Sequence, residues 1–112
     1  MVRTQTVGRG VFVSWLGDVR YLHSFPTRRS AELVLGDLNA EPDAPELRDI
    51  YAASFVDVLA ATGQGDVFTS WNPTSRRRID YIFLTPDLSP RRAWVVMSRA
   101  SDHLPVLVEV EP

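Results

Sequence analysis

Cysteine is absent from this 112-residue chain. That excludes a disulfide framework, cysteine-ligated zinc, iron–sulfur clusters and a thiol nucleophile, and it leaves the redox compartment open. Long apolar runs are also absent. Stretches such as Val11-Phe12-Val13 and Trp94-Val95-Val96-Met97 stop after a few residues, far short of the roughly 20 needed to cross a bilayer. The N-terminus lacks the apolar core and small-residue cleavage site of a signal peptide, so the chain reads as soluble, not exported, and cytoplasmic by default. It has no internal repeat. No glutamate precedes Glu32 and no asparagine precedes Asn39. The length suits one domain or a piece of one and excludes a two-domain enzyme.

What is present is an ordinary globular composition, 45% hydrophobic and 23% charged, which disfavours a disordered tail. The charge is unevenly placed. Residues 1–30 hold five arginines against the single acid Asp18, whereas residues 31–112 hold seven arginines against thirteen acids. The acidic body argues against broad electrostatic capture of nucleic acid, which needs a cationic face.

Along the chain, Val11 to Leu16 has the β-branched and aromatic content of a short strand, and residues 18–30 read as loop. Glu32 to Leu35 reads as a buried strand opening into a turn at Gly36. Asp43-Ala44-Pro45-Glu46 looks like a helix start, with Asp43 as N-cap and Glu46 at the capping-box position. Leu47, Ile50, Tyr51, Phe55, Val58 and Leu59 then follow at helical spacings, and Ser54 and Asp57 are the places where such a helix would break in two. Thr69 to Pro73 has turn chemistry. Arg78 to Leu84, Trp94 to Met97 and Pro105 to Val110 are strand candidates. Strands around one helical region predict an α/β or α+β fold.

Small polar clusters lie at the edges of these strands: Gly36-Asp37-Leu38-Asn39, Arg78-Ile79-Asp80-Tyr81, and Ser101-Asp102-His103-Leu104-Pro105. Strand ends that reach solvent are where sheets build sites. Each cluster also has a plainer reading. Asp37 and Asn39 suit an Asx-type turn, Asp80 a surface ion pair with Arg76, Arg77 or Arg78, and Asp102-His103 a loop acid beside a half-buried histidine.

Taken together and in order, the clusters over residues 31–112 resemble the later half of the endonuclease/exonuclease/phosphatase superfamily. The resemblance implies the C-terminal half of a four-layer α/β/β/α sandwich that hydrolyses a phosphate ester by in-line attack of water, usually with magnesium. It implies Asp37 as the water-activating carboxylate, Asn39 as a phosphate-contacting amide, and His103 as the histidine acting at the phosphate. Asp80 would hold that imidazole, and Asp102 would lie at or near the metal. Arg78 and Trp71 are weaker substrate-binding candidates, and Tyr81 reads as core or rim packing. The substrate class stays open among nucleic acid, lipid headgroup and small molecule.

The family's earlier half supplies an asparagine, a metal-binding glutamate, a further histidine and the opposing sheet, none of which is expected in residues 1–30. Residues 23–30 resemble one reading frame of a widely used sequencing adapter, so residues 1–30 read as a leader foreign to the family. The isolated chain is then expected to be inactive, with a weak, incomplete magnesium site and an exposed apolar sheet face prone to self-association. The competing reading is a noncatalytic phosphate- or nucleic-acid-binding module using Arg76-Arg77-Arg78, Arg91-Arg92 and Trp71. A serine hydrolase is disfavoured because no G-x-S-x-G turn is present.

Overall fold

The computed structural model describes residues 2–6, 10–15, 18–24 and 32–111. Leu16 and residues 25–31, where the expected junction falls, lie outside the described residues. The strands are β1 (Val2–Thr6), β2 (Gly10–Trp15), β3 (Asp18–Ser24), β4 (Glu32–Asp37), β5 (Val56–Asp57), β6 (Ser70–Asn72), β7 (Ser75–Arg77), β8 (Asp80–Leu84), β9 (Ser89–Val95) and β10 (Val106–Glu111). The helical segments are short: a 3-10 turn at Pro45–Leu47, α1 (Arg48–Ala52) and α2 (Val58–Ala61). The fold is α+β, mostly sheet.

One sheet has the order β1-β4-β8-β5 and a second the order β3-β2-β10-β9, while β6 and β7 form a separate hairpin. Neighbouring strands run antiparallel. Residues 18–24, expected as loop, thus form β3, and residues before Gly10 contribute β1. Both are polar segments whose strand state comes from pairing with a neighbour, which their own composition does not signal.

Strand β8 lies between two core clusters. All five of its residues are buried, and successive side chains point to opposite faces. Ile82 and Leu84 join Leu33 and Leu35 of β4, Val58 and Leu59 of α2, and Val106, Val108 and Val110 of β10 in one core. Tyr81 and Phe83 face the other way, into a second cluster with Ala40 and Leu47 that Ile50 and Phe55 flank. A strand buried on both faces reads as a continuous apolar run, as Tyr81-Ile82-Phe83-Leu84 does. The apolar sheet face expected to stand exposed is therefore covered among the described residues, because β10 and α2 fold onto it.

The long helix expected behind Asp43 does break where its sequence suggested. Ser54 adopts a left-handed φ of 67°, and β5 follows before α2. Asp43 is not the cap: the 3-10 turn begins behind Ala44, with no side-chain cap bond, since Ala44 N–H is already turned back onto the Glu41 carbonyl at 2.9 Å. Asp57 caps α2 instead, accepting from Leu59 N–H at 3.2 Å.

Candidate active site

Strand β4 ends at Gly36 and Asp37. Gly36 has φ 143°, a region open to glycine and costly for other residues, and it lies opposite Tyr81 in the β4–β8 register. The next pair in that register is Asp37 with Asp80, so two carboxylates meet where β4 ends and β8 begins. Asn39 N–H donates to Asp37 Oδ1 at 2.8 Å, and Asn39 takes a left-handed φ of 50° that asparagine tolerates. The Asx turn is real, and it leaves the other Asp37 oxygen pointed at the site.

His103 completes the group from the turn before β10. Its Nδ1 lies 2.9 Å from Asp80 Oδ2 and 3.1 Å from Asp80 Oδ1, and its Nε2 lies 3.8 Å from Asp37 Oδ2. The backbone of this turn is fixed from several sides. His103 N–H donates to Ser101 Oγ at 3.1 Å, Ser70 bridges to His103 as an isolated β pair, and Leu104 N–H donates to the Thr69 carbonyl at 2.7 Å.

Burial and charge tune the pair. Burial is the largest influence on Asp80 and pushes its carboxyl above the ordinary range; the hydrogen bond and charge of His103 oppose this in part, and Asp37 adds to it. For His103 burial works against protonation, but the hydrogen bond and charge of Asp80, with Asp37 and Asp102 behind them, outweigh it and raise the imidazole above its usual value. A carboxylate on one ring nitrogen also fixes the tautomer and raises the basicity of the other.

Asp37, Asp80 and His103 each offer a ligand atom within 4.8 Å of the others. The donor set fits a hard divalent ion, which is commonly held by one or two carboxylates while water and substrate phosphate supply the remaining ligands. Since both Asp80 oxygens face His103, Asp37 is the carboxylate better placed to hold such an ion.

The other expected residues divide. Asp102 is exposed beside His103; its Oδ1 accepts from Ser101 Oγ at 3.3 Å, and its carboxylate is not among the three that converge. Trp71 is half-exposed on β6 and is tied to the turn by its N–H to the Asp102 carbonyl at 2.9 Å. Arg78 is buried and paired within the protein, with Nη2 2.7 Å from Asp57 Oδ2 and its guanidinium 5.4 Å from the Tyr81 ring centre. Tyr81 behaves as expected, its buried hydroxyl donating its one proton between the carbonyls of Ala40 at 2.6 Å and Arg78 at 3.0 Å.

Two supporting residues were read from the sequence only as a turn and a helix break. Thr69, fully buried, accepts at Oγ1 from Ile79 N–H and Asp80 N–H, both at 3.0 Å, and so anchors the start of β8. Asp57 joins a helix cap to the Arg78 ion pair. Threonine after an aromatic and aspartate before an apolar run are too common to signal an anchor.

No curated protein and no solved structure matches the chain. A family model does match, described as the endonuclease/exonuclease/phosphatase family and spanning residues 11–103. That match begins upstream of residue 31, where the motifs alone begin. With most of the chain matched, and with Asp37, Asp80 and His103 gathered at one strand end, the chain belongs to the endonuclease/exonuclease/phosphatase family, whose members are generally phosphate-ester hydrolases that use a divalent metal.

Proposed function

We propose that this chain is the catalytic C-terminal part of a magnesium-dependent phosphoesterase that cleaves a phosphate ester by in-line attack of water. The observation that carries the reading is the Asp80–His103 pair aimed at Asp37 across the β4–β8 register. In this reading Asp80 holds the imidazole through Nδ1, so that Nε2 binds or protonates at the phosphate. Asp37 orients the attacking water and takes its proton, and Asn39, on the same turn, donates its amide to a phosphoryl oxygen. Asp102, whose charge reaches His103, adds negative potential beside the site. When bound, magnesium would draw off the negative charge that develops on the phosphate.

On its own the chain is proposed to turn over little or no substrate, since no glutamate precedes Glu32 to complete a metal shell. Residues 1–30 as a foreign leader rest on the charge reversal and the adapter-like stretch; the family match from residue 11 and the pairing of β2 with β10 weigh against placing all of them outside the domain. Re-reading the source DNA across codons 23–31 decides this, and continuous coverage by long native reads overturns the leader.

The test of the site has two arms. Hydrolysis of bis-p-nitrophenyl phosphate and p-nitrophenyl phosphate in millimolar magnesium should stay near the metal-free background, and robust cleavage lost in Asp37→Ala would overturn the inactivity. Titration with magnesium and then inorganic phosphate should move the His103 ring resonances, and Asp37→Ala should abolish the magnesium response. Resonances that stay still throughout would sink the phosphoesterase reading.

The binding-module alternative ranks lower on one observation. Arg77 approaches Glu41 at 3.8 Å, Arg78 pairs with Asp57 at 2.7 Å, Arg91 with Glu111 at 3.1 Å and Arg92 with Glu109 at 3.2 Å, so most of the arginine clusters already face carboxylates.

A further inference from the structure

Among residues 33–111, the arginines with no carboxylate partner are Arg48, Arg76 and Arg99. Arg48 stands alone at the start of α1. Arg76 and Arg99 line one open groove of about 450 Å³ with Phe68, Trp71, Met97 and Ser98. A second concave surface, of about 480 Å³, lies along the β6–β7 hairpin and shares Trp71 and Arg76 with the first. Trp71 therefore stands as a half-exposed ring between two concavities, and Met97, 71% exposed, borders one of them.

The groove is held in shape by contacts of its own residues. Asn72 Oδ1 accepts from the N–H groups of Thr74 and Ser75, each at 2.9 Å, and closes the hairpin turn. The Arg76 guanidinium sits 5.2 Å from the Phe68 ring centre, and Ser98 Oγ accepts from Ala100 N–H at 3.1 Å on the opposite bank. Trp71 N–H on the Asp102 carbonyl joins this platform to the turn that bears His103.

We propose that the Phe68–Trp71–Arg76–Arg99 groove is the substrate-recognition track of the site and that it takes single-stranded nucleic acid. The two arginines receive backbone phosphates, and the Trp71 ring receives a base. Net-acidic surroundings make the placement informative: of the three arginines in residues 33–111 without a carboxylate partner, two border the groove beside the exposed indole. A lipid headgroup or inorganic phosphate would use the arginines and leave the ring idle, whereas a base uses its face at little dependence on sequence. The proposal deepens the phosphoesterase reading by naming its substrate class, and it rests on that reading for its link to catalysis.

The probe is a fluorescein-labelled oligothymidylate, followed by anisotropy with the full chain in chelator, so that neither metal nor turnover enters. Binding should fall roughly sevenfold between 50 and 200 mM salt for two phosphate contacts on a single strand. Trp71→Ala should weaken it at least about fivefold. Arg76→Ala with Arg99→Ala should flatten the salt dependence, and Arg48→Ala should leave binding unchanged; circular dichroism checks that each variant is folded. Absence of binding overturns the proposal. So does equal loss in Arg48→Ala, which would mean diffuse charge, or displacement by inorganic tripolyphosphate as effective as by unlabelled oligonucleotide with Trp71→Ala silent. A failure here leaves the metal and phosphate response of His103 standing, and a silent His103 leaves the groove result standing.

Discussion

Asp80 gives both carboxylate oxygens to one nitrogen of His103, and this commitment governs how the imidazole titrates. The His103 midpoint, followed by ring-proton NMR, should lie above the ordinary value of about 6.5. Asp80→Asn should bring it down to that value or below, because burial then acts with less opposition. A midpoint unchanged by Asp80→Asn would break the pairing. The sign of the linkage follows: a pKa raised by folding adds stability that is fully present below the unfolded imidazole pKa and is lost as pH rises through the folded one. Arg78 and Asp57 pose the opposite case, a buried ion pair away from the chemistry. Arg78 Nε and Nη1 find no hydrogen-bond partner among the described residues, so its bond to Asp57 is the main return for burying the charge. Arg78→Met alone should strand the Asp57 carboxylate and cost about 3–5 kcal/mol in urea denaturation. Arg78→Met with Asp57→Leu should recover a large part of that loss, and no recovery would show that the pair itself is not the source.

Among the elements, the β8 start depends on a single hydroxyl. Thr69→Val, nearly isosteric, strips the acceptor from two buried N–H groups and should cost on the order of 2 kcal/mol or more, while Thr69→Ser should retain much of the stability. Thermal denaturation of the two variants measures the difference, and equal loss would assign the effect to the methyl group. This anchoring was not legible in the sequence, because Thr69 and Asp80 lie far apart along the chain and no local pattern joins them. The site itself was legible because Gly36 to Asn39, Arg78 to Tyr81 and Ser101 to Pro105 are contiguous and carry their turn chemistry locally. The helical region was half legible: its apolar spacing and its break points were visible, but the left-handed Ser54 and the capture of Ala44 by Glu41 are set by tertiary packing. Strands β6 and β7 are short and polar and β3 is longer but also polar, and only their pairing partners make them strands. The β4, β8 and β10 segments, by contrast, declared themselves through apolar runs.

At the scale of the whole molecule, β1 covers one edge of β4 and β2 covers one edge of β10. A chain starting at residue 31 would leave both edges with unpaired N–H and C=O groups, a template for pairing with another copy. Light scattering after size exclusion should show dimers or larger species for that chain at concentrations where the full chain stays smaller, and a stable monomer would mean these edges need no cover. The β4–β8 register has a broader consequence. Sliding β4 by one residue would turn Asp37 to the opposite face and with it Leu33 and Leu35, so the carboxylate's position is enforced by hydrocarbon that touches no substrate. The hairpin that bears Trp71 is under no such discipline. A chain built this way can change the surface around Trp71 without moving Asp37, because the two are written into parts of the chain that answer to different forces.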